Sequence, residues 1–161
     1  MAAPARPIPE RYHSLTPYVI VSDAVRAIAF YEDAFGAVEV EHHREASGRT
    51  HHAEVSIGDS ILMMSEEYSF EGLVAKSPNA LPATSAHLYL YVEDVDAVME
   101  RAVAAGATVL VPAKDQWWGD RMGGVADPFG HVWWIATHKE DLSEAEAQER
   151  LLASTPEDSS T

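Results

Sequence analysis

One pattern of about 70 residues occurs twice in this 161-residue chain, and the repeat limits the folds open to it. Residues 16–22 read as a strand, followed by Asp23 and an apolar-periodic helix (Val25, Ile28, Ala29, Phe35) that stops at Gly36. Residues 87–92 read as a second such strand, followed by Asp94 and a helix (Val95, Val98, Met99, Ala102, Val103) that stops at Gly106. Asp suits an N-cap, where its carboxylate takes a free backbone N–H, and Gly suits the left-handed position that ends a helix. Asp94 follows Asp23 by 71 residues, Gly106 follows Gly36 by 70, and Gly130 follows Gly58 by 72. Gly58-Asp59 turns into a strand at 60–65, and Asp127-Pro-Phe-Gly130 turns into one at 131–137. Two unrelated stretches would not hold three landmarks in such close register. The expectation is an α+β fold in which two βαβββ modules form a curved mixed sheet with helices on one face.

The rest of the chain is read around that repeat. Residues 1–12 are expected to be a flexible segment and 155–161, all Ser, Thr, Asp, Glu and Pro, a disordered tail. Between them lies one domain at 13–140, with module one at 13–66, a linker at 67–85 and module two at 86–140. A helix at 141–154 follows, with Ser143 and Glu146 as a capping box and Leu151-Leu152 as a modest stripe for the core or a second subunit.

Strand alternation assigns faces. Val19, Val21, Ala53, Val55 and Ile57 go toward the helices, leaving Thr16, Tyr18, His52, Glu54 and Ser56 on the other side. In module two Leu88, Leu90, Val92, Trp133 and Ile135 take the helix side, and His87, Tyr89, Tyr91, Trp134 and Ala136 the opposite one. A second face rich in His, Glu, Tyr and Trp is not a simply solvated sheet, because aromatic area left in water is costly. It forms either a pocket or a dimer interface. His42-His43 is expected in an exposed hairpin, and His51 on the side opposite His52.

Composition removes several classes of partner. Eleven Lys and Arg against 26 Asp and Glu give a net charge of −15, which repels nucleic acid and anionic membranes. With no Cys there is no disulfide, thiolate nucleophile or thiolate metal site. The first residues lack the apolar core of a signal peptide, and no stretch has the roughly 18 consecutive apolar residues of a membrane span, so the cytoplasm is the expected compartment.

The motifs Thr16-Pro-Tyr-Val-Ile-Val-Ser-Asp23, Ala29-Phe-Tyr-Glu-Asp-Ala-Phe-Gly36, His52-Ala-Glu-Val-Ser-Ile-Gly-Asp59, His87-Leu-Tyr-Leu-Tyr-Val-Glu-Asp94, Gly119-Asp-Arg121 and Asp127-Pro-Phe-Gly-His-Val-Trp133 span nearly the whole core. On them the chain resembles the vicinal oxygen chelate superfamily (glyoxalase, bleomycin resistance, extradiol dioxygenase), and within it the PhnB-like branch. The resemblance implies the paired-module fold. It leaves the chemistry open, since that fold hosts metal-dependent isomerases, lyases and dioxygenases beside binding proteins that do no chemistry. It also implies four metal ligands, one on the first and one on the last strand of each module. Those places fall on Thr16, near Met63, on His87 and on Trp134. One imidazole among Thr, Met and Trp does not hold a first-row transition metal, so no cofactor is expected. A divalent metal enters only through an altered set, His52, Glu54 and His87.

Gln116-Trp-Trp-Gly-Asp-Arg121, which precedes a Gly-rich stretch (Gly123-Gly124), is the remaining informative loop. Trp117 and Trp118 offer aromatic area for stacking, and Arg121 a planar fork for carboxylate or phosphate. The same residues also suit a hairpin in which Asp120 and Arg121 pair with each other or the sheet and the tryptophans pack at a dimer seam. His87 is open to direct ligand contact, to a role as general base, or to a core position satisfied by a backbone carbonyl. In the linker, Phe70 and Leu73 are placed to close over a bound molecule.

Three functions follow. The first is a binding protein, homodimeric, that captures a planar or aromatic small molecule using His87, Tyr89, Tyr91, Trp117, Trp118, Arg121, Trp134, Glu54, Thr16 and Tyr18. The second is an enzyme, with His87 or Glu54 moving a proton and Arg121 stabilising an oxyanion, or with the altered metal set. The third is a protein interaction surface without a ligand.

Overall fold

The computed structural model describes residues 9–70 and 72–154. Module one comprises strand β1 (Tyr18–Val21), helix α1 (Ala24–Phe35) and strands β2 (Val38–Arg44), β3 (Thr50–Ile57) and β4 (Ser60–Glu66). A hairpin of β5 (Tyr68–Phe70) and β6 (Leu73–Ala75) and a 3-10 turn at Pro78–Ala80 lead into module two. That module comprises β7 (His87–Tyr91), α2 (Val95–Ala104), β8 (Thr108–Asp115), β9 (Asp120–Ala126) and β10 (Val132–His138), and α3 (Glu144–Ser154) follows. The sheet orders are β1-β4-β3-β2 and β7-β10-β9-β8, with the first pair parallel and the others antiparallel in each. The repeat in the sequence is a repeat in topology.

Local chemistry sets the elements as the spacing predicts. The Asp23 carboxylate accepts from Arg26 N at 3.0 Å and that of Asp94 from Ala97 N at 3.0 Å, so both helices begin on capped N–H groups. Gly36 ends α1 at φ 67, which costs Gly little. Val21, Val55 and Ile135 are fully buried, each contributing about 1.5–3 kcal/mol by leaving water. The core runs unbroken across both modules.

Asp127 joins the halves. Its carboxylate accepts from Tyr31 Oη on α1 at 2.9 Å and from Trp133 Nε1 at 3.0 Å, and from the backbone N–H groups of Phe129 and His131. The rings of Phe35 and Trp133 lie 4.7 Å apart beside it. Burial, with the Asp127 charge, pushes the Tyr31 phenol well above its ordinary range.

Some expectations meet a different placement. His42 and His43 lie on β2, where His43 pairs with His52 across the ladder, rather than in a hairpin turn. Thr16 precedes β1 and donates to His13 O at 3.0 Å. Gly123 and Gly124 lie inside β9. A Cβ on Gly123 would sit 2.2 Å from Met99 Sδ, and one on Gly124 2.6 Å from the Trp134 ring, so both glycines make room for close neighbours. Ser143 and Glu146 form the capping box, but Leu152 of α3 is exposed. Arg11 and Tyr12, in the segment read as flexible, make side-chain bonds onto β2 and β3. Residues 1–8 and 155–161 and the Phe70 side chain fall outside the described residues.

Candidate functional site

The face away from the helices carries two polar clusters, one per module. In module two the register sets His138 beside Asp120, then Tyr91, Ala136 and Met122, then Tyr89, Trp134 and Gly124. Ala136 is too small to hold the tyrosines off the sheet, and both lean toward the start of β9. There, one carboxylate oxygen of Asp120, Oδ2, accepts from Tyr91 Oη (3.0 Å), Tyr89 Oη (3.3 Å) and Trp118 Nε1 (3.0 Å). The other, Oδ1, lies 2.8 Å from His138 Nδ1, whose Nε2 lies 2.9 Å from Asp141 Oδ1. Two carboxylates, one on each ring nitrogen, favour the imidazolium, in which both nitrogens donate.

The electrostatics follow. Bonding to Asp120 and then Asp141 raises the His138 pKa above its ordinary 6.5. Burial alone would push the Asp120 carboxyl up, but bonds from His138, Tyr91, Trp118 and Tyr89 outweigh it and hold it below 3.8. Burial, together with the neighbouring Tyr91 and Asp120, pushes the Tyr89 phenol up to about 12, so it remains an O–H donor. The ring faces stay available: Tyr89 and Tyr91 are 46% and 61% exposed with centroids 5.1 Å apart, and Trp117 meets Trp118 edge-on at 5.1 Å.

Tyr89 and Tyr91 also line a cleft of about 680 Å³ between the modules, floored by Phe35, Leu62 and Trp133. Its charged lining is Asp59, Glu93, Asp94 and Arg101. Of the other expected site residues, His87, Trp117, Trp118, Arg121, Trp134, Glu54, Thr16 and Tyr18 do not line it, nor does Leu73 of the linker.

Arg121 is not brought to this cluster. Neighbours on a strand face opposite ways, so with Asp120 on the open face Arg121 takes the helix side. Its guanidinium grips Asp96 of α2 through Nε at 2.7 Å and Nη2 at 2.8 Å and reaches Asp115 through Nη1 at 3.3 Å. Asp120 and His138 are the functional candidates that sequence reasoning missed. Their juxtaposition depends on the β9–β10 register, although alternation along β9 would have separated Asp120 from Arg121.

The module-one cluster centres on Glu54, which is 1% exposed. It accepts from Tyr12 Oη at 2.8 Å, lies 3.0 Å from His52 Nε2, and pairs with Arg11 Nη2 at 3.3 Å, which is also 2.5 Å from Glu41. Tyr18 Oη reaches the other ring nitrogen of His52 at 3.4 Å. Ligand atoms of Glu41, His52 and Glu54 lie within 4.8 Å of one another. The altered set expected from the sequence thus acquires Glu41, while His87 is bonded elsewhere, to Trp134.

The four places of the metal set implied by the resemblance do not fit a metal. The Thr16 hydroxyl is bound to a backbone carbonyl, and Met63 offers only a thioether. Trp134 offers an N–H donor, which it gives to His87 Nδ1 at 3.0 Å.

The Mycobacterium bovis protein Mb0911c is 39% identical over 136 residues, 84% of this chain and 90% of its own. TioX from Micromonospora sp. ML1 superposes with a TM-score of 0.63 at 27% identity, over 78% of this chain and 98% of that one. The PhnB protein from Bacillus cereus, a putative 3-demethylubiquinone-9 3-methyltransferase by name, gives 0.60 at 19% identity over 78% and 99%, a likeness of fold alone. The family model of the Glyoxalase/Bleomycin resistance protein/Dioxygenase superfamily matches residues 11–135, and the chain belongs to that superfamily.

Proposed function

We propose that this protein binds a planar or aromatic small molecule on the Tyr89, Tyr91 and Trp118 face of module two, acting by capture rather than by chemistry. The observation that carries the reading is the shared Asp120 oxygen: three aromatic side chains from one strand and a turn are tied to one buried carboxylate, which holds them in place while the tyrosine faces stay open. Side chains already held lose little entropy when a ligand arrives. A cleft of about 680 Å³ beside the tyrosines has the size of a small-molecule site. Superfamily members commonly dimerise and bind small molecules, and a homodimer that covers part of the exposed aromatic face is part of the proposal. No helix among the described residues is long and apolar enough to cross a membrane.

The test is a melting screen of the wild-type chain and Tyr91→Ala against planar aromatic compounds. A compound that raises the Tm of the wild type but not of Tyr91→Ala supports the reading; equal shifts in both contradict it.

A second reading, metal-assisted chemistry in module one, draws on the two carboxylates and one imidazole of Glu41, His52 and Glu54. Arg11 already supplies a positive charge between the two glutamates, and a metal would have to displace it. Stoichiometric binding of Mn²⁺ or Zn²⁺ that Glu54→Gln abolishes would favour this reading.

A further inference from the structure

We infer that the molecule taken by the module-two face is a planar cation, or a planar ring bearing N–H donors, and not a planar anion; this rests on the planar-ligand reading above. The polar hydrogens of this face are largely spent within the protein. Tyr89, Tyr91 and Trp118 each possess one polar hydrogen, and all three are given to Asp120. Both His138 nitrogens face carboxylates. What remains toward a ligand is the lone pairs of two phenol oxygens and the negative faces of the aromatic rings, which attract cations and N–H groups and repel carboxylates, against one exposed cation, Lys114, which the register sets opposite Met122 on the outer strand β8. Nearby donors not given to Asp120 are His87 Nε2–H, since His87 Nδ1 accepts from Trp134, and the indole N–H of Trp117 beside Trp118; both are neutral.

Charge adds independently to this. The Asp141–His138–Asp120 chain carries two carboxylates against one imidazolium. The adjoining cleft presents Asp59, Glu93 and Asp94 against Arg101 alone. Arg121, the guanidinium that would have received an anionic ligand, is committed to Asp96 and Asp115 on the opposite side of β9. Among the described residues, a carboxylate-bearing ring on this face would meet no guanidinium, the nearest one in the site being Arg101 in the adjoining cleft among three carboxylates, and would lose hydration that the face does not replace.

Two probes of equal ring size separate the alternatives: 9-aminoacridine, a cation at neutral pH, and 9-anthracenecarboxylate, an anion. Calorimetric titration of the wild-type chain is expected to show the cation binding at least about tenfold tighter. Asp120→Asn should narrow that ratio. Should Asp120→Asn lose its native near-UV spectrum, Glu93→Gln, at an exposed position, tests the same field without risk to the fold. Excess spermidine, cationic but not planar, should fail to displace the acridine, which excludes general attraction to an acidic protein. Equal affinities, or a tighter anion, would overturn the charge inference and leave the planar-ligand reading standing. Binding of neither probe would remove both.

Discussion

Trp134 donates its indole N–H to Nδ1 of His87 across 3.0 Å. The bond joins two of the four places at which the superfamily resemblance puts metal ligands, and it uses a lone pair of the sole imidazole among them. Protein purified without an affinity tag is therefore expected to hold less than about a tenth of a first-row metal ion per chain by elemental analysis. Near-stoichiometric zinc, nickel or manganese that disappears in His87→Ala would contradict this.

Gly124 lies under the same indole, and a Cβ there would be 2.6 Å from the ring. Gly124→Ala must push Trp134 off its seat and break the bond to His87. The expected cost is about 1–3 kcal/mol in denaturant unfolding, with a changed near-UV spectrum. A variant with unchanged stability and spectrum would show that the ring does not rest on the glycine.

His138 and Asp120 predict a pH window. A raised His pKa contributes stability that is fully present below its ordinary 6.5 and is lost as pH rises through the raised folded value. A lowered Asp pKa contributes stability that is present above its ordinary 3.8 and is lost as pH falls through the lowered folded value. Both contributions hold together between these limits. In an NMR titration His138 should titrate above 6.5, and Asp120→Asn should bring it down. An unmoved midpoint would deny the pairing.

Asp127 gathers bonds from Tyr31, Trp133 and two backbone N–H groups at the junction of the modules. Asp127→Ala leaves those donors buried without an acceptor, and the expected loss is about 3–5 kcal/mol. Chemical denaturation measures it. A loss under about 1 kcal/mol would mean that water replaces the carboxylate.

How far the sequence discloses this molecule depends on the range of the interaction involved. Helix caps at Asp23 and Asp94 and the apolar alternation of Val19, Val21, Ala53, Val55 and Ile57 are local signals, and the structure repeats them. β2 escaped because Val-Glu-Val-Glu-His-His-Arg is an edge strand with a bulge, and its alternation is interrupted. The candidate site is legible in the sequence as a set of aromatic residues, but not in the carboxylate that ties them together. Asp120 matters because strand register delivers His138 beside it and two tyrosines lean past Ala136 to reach it. Strand alternation puts Glu54 on the open face, yet it is buried beneath Arg11 and Tyr12, which come from a segment with no pattern of its own.

The claim that Tyr89, Tyr91 and Trp118 form the binding face, with Arg121 outside it, is tested most directly by titrating Trp118→Ala and Arg121→Ala with 9-aminoacridine while sizing both by light scattering. Trp118→Ala should weaken binding by about 1–3 kcal/mol, roughly five- to 150-fold, with the oligomeric state unchanged, and Arg121→Ala should leave affinity within about twofold of wild type. Unchanged affinity in Trp118→Ala with loss of the proposed homodimer, or affinity lost in Arg121→Ala alone, would contradict the account.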